Sequence, residues 1–183
     1  MCKYIKVMFN TKGVNYEYKI YDINIAKIWN PSAKSGKDFG GFNFSTEDKI
    51  IRWLHRGNIL YDVIIPDGAE VVDCVKSSTP HGVFRSNKII VTNPRLITDE
   101  IALEFYKKST IPEKAYYKTL AAVSLMNYKN TALEIFKDKI NKDTIDIALE
   151  EWNDFMNNGG DSNRLNSNET VELIGKMLNN YKC

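Results

Sequence analysis

The sequence predicts an α+β protein: an antiparallel or mixed β-sheet with one internal helix in the first half, then a helical second half. Three observations predict it. Short apolar runs, several alternating with a period of two and set apart by Gly, Pro and Asn turns, fill residues 3–92. From Thr98 the apolar spacing lengthens to that of amphipathic helices and stays so to the end of the chain. Strands and helices are thus segregated, the pattern of α+β folds and not of a wound parallel sheet. At 183 residues the chain is long enough to bury about two-thirds of its unfolded surface without a disulfide or metal. The change of pattern divides it into a β-rich domain at 1–98 and a helical subdomain at 99–183, which can share one core.

The elements follow in order. Residues 3–9 alternate weakly and read as a strand, and 16–22 alternate better, with Tyr16, Tyr18, Ile20 and Asp22 on one face. Thr11-Lys12-Gly13 is the turn between them. Residues 30–38 are a polar loop. Phe39 to Phe44 is a short aromatic strand whose Gly40-Gly41 pair marks a bulge or the close approach of another backbone or ligand. Ser45 is placed to cap a helix over 46–56, with Asp48 in the capping-box position and Gly57 as the C′ residue. Strands are expected at 59–65, 69–75 and 87–92, the last closed by Asn93-Pro94.

In the second half, Glu100–Lys108 is a helix. Thr110-Ile111-Pro112-Glu113 reads as a capping box that starts a helix running to about Met126. Residues 131–140 form a third helix. Residues 144–156 are the clearest, with Ile145, Ala148, Leu149, Trp152 and Phe155 in one stripe. A Gly/Asn/Ser loop from 157 to 168 leads to a last helix that buries Val171, Ile174, Leu178 and Tyr181.

Composition excludes several classes. The 43% hydrophobic and 26% charged residues rule out wholesale disorder, and no apolar run approaches a membrane span. Cys2, Cys74 and Cys183 include no C-x-x-C pair, so no metal site is expected and the thiols suit a reducing cytoplasm. The start, Met1-Cys2-Lys3-Tyr4, lacks the apolar stretch of a secretory leader. The whole chain carries +2, but residues 1–98 carry +5 and residues 99–183 carry −3. Such asymmetry can present a positive face to phosphates or to an acidic protein.

Residues 40–93 carry an ordered string of features. Gly40-Gly41-Phe42-Asn43-Phe44-Ser45-Thr46 leads into a helix ending His55-Arg56-Gly57. Tyr61 to Ala69 and Val83 to Val91 follow. The string resembles a small domain found before ankyrin repeats in giant-virus proteins and alone in phage and low-GC bacterial proteins. The resemblance implies a module of viruses and mobile elements, with no assigned chemistry to carry over.

Two catalytic sets are conceivable. His55 and His81 could serve as general acid and base beside Arg56, Arg85 and Lys88, which would cleave RNA without metal. Alternatively, Ser45-Thr46 after a strand is similar to the nicotinamide-supporting element of ADP-ribosyltransferases, which would bring NAD as cofactor; the late Glu such enzymes need is represented here only by Glu100, on a helix. Lys34-Ser35-Gly36-Lys37 is a basic loop that could touch phosphates, though it is no P-loop.

The reading adopted is non-enzymatic and needs no cofactor. It expects a cytoplasmic binding or inhibitor protein of a phage or mobile element. This protein would act by surface occlusion on a host protein or ribonucleoprotein complex that handles nucleic acid, for example a CRISPR nuclease in an anti-defence role. Lys34, Lys37, Arg52, Arg56, Arg85, Lys88 and Arg95 are the expected binding face toward RNA, DNA or an acidic surface. The helix face bearing Asp143, Asp146, Glu150, Glu151 and Asp154 would compete for a basic groove.

Overall fold

The computed structural model describes residues 4–12, 16–33, 38–74, 82–158 and 168–181. The chain forms two compact units, one of Met1–Ile50 with Gly57–Leu96 and the other of Ile51–Arg56 with Ile97–Cys183. The class is α+β, as the patterning predicts. Residues 51–56, from the first half of the sequence, belong with the helical unit.

The first unit is a sheet of β1 (Tyr4–Met8), β2 (Ile23–Ile25), β3 (Phe42–Thr46), β4 (Ile59–Ile64), β5 (Val71–Asp73), β6 (Phe84–Ser86) and β7 (Lys88–Leu96). Its order is β2-β7-β4-β1-β3-β6-β5, with every pairing antiparallel. Pairing places residues on faces. Tyr4 opposite Val63 and Val63 opposite Val91 put one set on the inner face. There Met8, Phe42, Phe44, Tyr61, Val63, Ile89 and Val91 form a buried cluster.

Residues 16–22 are not a regular strand. They make isolated bridges only, and the segment is an extended strap whose Tyr16, Tyr18 and Ile20 pack on that cluster. The alternation was legible, but the ladder partner was not. The strap is tied by Asn24, whose side-chain oxygen accepts from the Lys19 amide at 2.8 Å. Its amide nitrogen donates to Lys19 O and Asp22 O at 2.9 and 3.0 Å.

Three local expectations are corrected. Ser45 does not cap a helix. It lies inside β3, where its hydroxyl donates to the Gly82 carbonyl, and the helical turn is a 3₁₀ helix over Ile50–Arg56. Gly57 is not a left-handed C′ residue. A Cβ there would strike the Met8 backbone, so the glycine is required by close approach. β7 does not stop before Pro94 but runs to Leu96. One extra residue is absorbed between the Leu60–Arg95 and Asp62–Thr92 pairs, with Asn93 at φ 52°. A bulge removes the ladder bond that proline could not make. Gly40 meets its expectation: with φ 63°, a Cβ there would strike the Ile28 carbonyl.

The second unit holds α1 (Asp99–Lys107), α2 (Glu113–Leu125), α3 (Lys129–Lys139), α4 (Ile145–Asn158) and α5 (Glu169–Tyr181). α2 packs against α3, α4 and α5. Its residues from Tyr116 to Leu125 are buried apart from Lys118, so an apolar run without a one-sided stripe marks the central helix. The predicted Thr110 capping box does not form; Pro112 occupies the N-cap position without a side-chain bond. Capping occurs elsewhere. Thr98 Oγ1 accepts from the Ile101 amide at 3.4 Å, and the Asp99 carboxylate accepts from the Asn130 and Thr131 amides at 2.7 and 3.0 Å, closing the start of α3. α4 buries Ile145, Ala148, Trp152 and Phe155, with Leu149 half-buried. Tyr181, expected in the core of α5, is exposed, its ring centre 6.0 Å from that of Phe136. No helix among the described residues is long and apolar enough to cross a membrane.

Candidate functional site

The inner face of the sheet holds a charged side chain to which the sequence reading assigned no role. Lys6 sits between Tyr4 and Met8 on β1, opposite Tyr61, and is buried. Its Nζ donates to the Asn43 carbonyl at 2.6 Å and to the Asn43 side-chain oxygen at 2.7 Å, and lies 5.1 Å from the centre of the Tyr18 ring. Burial, reinforced by the Arg85 guanidinium, brings its pKa down to about 7. Burial also raises the Tyr18 phenol, so that group stays neutral. The signal was present in the sequence: a lysine in phase with Tyr4 and Met8 cannot point to the opposite side of the strand.

The residues of the two conceivable catalytic sets are placed as follows. Ser45 and Thr46 are buried in β3, and the Ser45 hydroxyl is used by Gly82. His55 is buried in the second unit, its ring edge-on to Phe155 at 5.1 Å. Glu100 stands in the first turn of α1, as expected, and its carboxylate is lowered by the Thr98 hydroxyl. His81 lies outside the described residues. No group of His, Cys, Asp and Glu among the described residues could hold a metal ion. Cys74 is buried, and burial pushes its thiol up; Cys2 and Cys183 lie outside the described residues.

The expected cationic face is distributed over both units. Arg52 and Arg56 belong to the helical unit; Arg85, Lys88 and Arg95 belong to the sheet; Lys34 and Lys37 lie outside the described residues. Arg52 is half-buried with its guanidinium 4.9 Å from the centre of the Trp53 ring, while Arg56 is exposed. Arg85 Nη1 donates to the Gly40 carbonyl at 2.7 Å. Arg95 is paired with Asp62 at 2.8 Å. Lys88 is half-buried opposite Ile25. On the acidic helix face, Glu151 and Asp154 are met by Lys118 of α2 at 3.1 and 3.0 Å. Part of each charged surface is therefore neutralised within its own unit.

The most unusual surface is apolar. In β2 the usual alternation is inverted: Asn24 faces the core at 0% exposure, while Ile23 and Ile25 face outward at 45% and 60%. Register sets Ile23 beside Ile90 and Ile90 beside Ile64, which is 50% exposed. A row of isoleucines thus crosses β2, β7 and β4 at the outer edge of the sheet. Ile28, just beyond β2, is exposed as well. Single exposed apolar residues are ordinary, whereas here Ile23, Ile90 and Ile64 stand side by side across three neighbouring strands.

No protein-family model matches the chain, and neither a curated protein nor a solved structure matches it.

Proposed function

We propose that the protein is a non-enzymatic binding protein that acts by covering part of a partner. The partner proposed is a host protein or ribonucleoprotein complex that handles nucleic acid, such as a defence nuclease, and the source a phage or mobile element. The observation that carries the binding reading is the isoleucine row Ile23–Ile90–Ile64 on the edge of the sheet. It would meet an apolar protein surface, since a nucleic-acid backbone offers phosphates and not apolar groups. The partner's class rests on the opposite charges of the two halves and on the resemblance of residues 40–93 to a mobile-element module. The competing enzymatic reading is less supported, because the Ser45 hydroxyl is bonded to the Gly82 carbonyl and the buried His55 ring packs on Phe155, each within its own unit.

The test is capture from host extract by the whole protein and by its Ile23→Lys, Ile25→Lys variant, followed by mass spectrometry, RNA sequencing and reconstitution with the purified candidate. The reading expects a nucleic-acid-handling complex that is held, and inhibited, by the wild type and released by the variant. Equal inhibition by both would overturn the assigned surface. A dimer of the wild type that the variant dissolves would show that a second copy covers the row. Turnover of RNA or NAD⁺ by the purified protein alone would overturn the non-enzymatic reading.

A further inference from the structure

Lys6 and Arg85 both adjoin Asn43, and neither has a counter-charge. Lys6 Nζ donates to the two oxygens of Asn43, and the β3–β6 register sets Arg85 directly opposite Asn43. The Arg85 guanidinium donates from Nη1 to the Gly40 carbonyl at 2.7 Å and is hydrogen-bonded to the Cys74 sulfur. All of these partners are uncharged. Among the described residues no carboxylate lies within ion-pair distance of either cation. The other residues of the sheet unit, 1–3, 13–15, 34–37 and 75–81, include no Asp or Glu.

A lysine that is desolvated and set beside a second cation gives up its proton readily, and its free amine is a nucleophile. Burial first and Arg85 second bring Lys6 down to about 7, so at neutral pH much of it is the amine. The other titratable groups that face it add no negative charge. Tyr18, whose ring centre lies 5.1 Å from Nζ, is held neutral by burial, and burial likewise raises Tyr61, opposite Lys6 on β4. The two oxygens of Asn43 engage the N–H groups, which leaves the lone pair of the amine directed away from Asn43. Asn43 itself is exposed, so the amine lies one hydrogen bond from a surface side chain.

Carbon dioxide fits these features: it is small and uncharged, enters packed interiors, and reacts with free amines. We propose that Lys6 is a modification site for carbon dioxide, which converts its amine to a carbamate paired with Arg85. The Nζ lone pair attacks the carbon, the N–C bond forms as one C=O π pair moves onto oxygen, and the nitrogen loses a proton to water. Nothing is oxidised or reduced. The product is the anion that Arg85 lacks, and a guanidinium bonds the two oxygens of a carbamate edge to edge as it does those of a carboxylate. The remaining N–H keeps the Asn43 carbonyl, and the Asn43 carboxamide, turned over, gives its NH₂ group to a carbamate oxygen. This inference goes beyond the binding reading and does not depend on it.

The test adds isotope-labelled bicarbonate to the whole protein slightly above neutral pH and follows the carbamate carbon by NMR. Ordinary lysines, with pKa values of about 10.4, are almost wholly protonated there and stay silent. The expected result is a saturable carbamate resonance that Lys6→Met removes, while any resonance of the α-amine, common to both proteins, remains. Arg85→Gln should lower the occupancy of Lys6 about tenfold, whereas Arg85→Lys, which keeps the charge, should retain most of it. Bicarbonate at constant pH and ionic strength should raise the melting temperature of the wild type and not that of Lys6→Met. Equal carbamate intensity in wild type and Lys6→Met, or an occupancy indifferent to Arg85→Gln, would overturn the proposal. Should a variant not fold, unfolding the wild type in guanidinium chloride decides. Loss of the resonance supports a site made by the fold, and its survival undiminished contradicts one. Neither result bears on the isoleucine row.

Discussion

Lys6 Nζ is held between the carbonyl oxygen and the side-chain oxygen of one residue, Asn43, at 2.6 and 2.7 Å. An exposed asparagine thus supplies both acceptors for a buried ammonium. Neither acceptor carries a charge, so the desolvation of Lys6 is offset only in part.

The consequence is a pH-dependent stability. The pKa of Lys6 falls from 10.5 to about 7 on folding, through burial first and Arg85 second. Between those two values the unfolded chain holds a proton that the folded chain has released, so stability rises with pH across the window. Below about pH 7 both states are protonated and the folded state bears the full penalty. Lys6→Met is expected to raise the unfolding free energy by about 2 kcal/mol or more near pH 6 and to flatten the rise above neutrality. Urea unfolding at a series of pH values measures this; a variant weaker than wild type near pH 6 would contradict it.

Asn24 is fully buried, and its amide ties the 16–22 strap to the sheet. Asn24→Leu strips the Lys19 amide and carbonyl of their partner. It should lower stability by about 2–4 kcal/mol, with amide exchange in the strap accelerated before that of β4 and β7. Unchanged protection of the strap would show that its tyrosines alone hold it.

Two glycines should respond in opposite senses to alanine. A methyl on Gly57 would enter the Met8 backbone, and Gly57→Ala is expected to cost about 2–3 kcal/mol or more. A methyl on Gly175, inside α5, would reach only ordinary contact with Trp152 at 3.9 Å. Gly175→Ala should therefore add about 0.5–1 kcal/mol through helix propensity. Thermal denaturation of the two variants checks the pair.

Ile23 and Ile25 contribute little to folding, because their side chains stand largely in solvent. Ile23→Lys, Ile25→Lys should change stability by no more than about 0.5 kcal/mol while abolishing partner binding. Chemical denaturation beside the reconstituted binding measurement separates the two effects. A large loss of stability would place the row in the folding core instead.

Much of this protein was legible from residue order alone. The α+β class, the strands at 59–65 and near 90, and the five helices follow from spacing, because period two and period 3.6 put apolar side chains on one side of their respective elements. The stripe from Ile145 to Phe155 could be read the same way. The ends of elements were less legible. Ser45 has the identity of a cap and Gly57 that of a C′ residue, yet a neighbouring carbonyl claims one and a passing backbone requires the other.

Spacing likewise could not reveal what lies across the sheet or between helices. The inward turn of Asn24, the burial of Lys6, the isoleucine row over β2, β7 and β4, and the meeting of Tyr106, Tyr116 and Asp138 all join residues far apart in the chain. A sequence carries local period and composition, and these set which elements form. Register and packing set which side chains become neighbours, and a binding surface is made of neighbours.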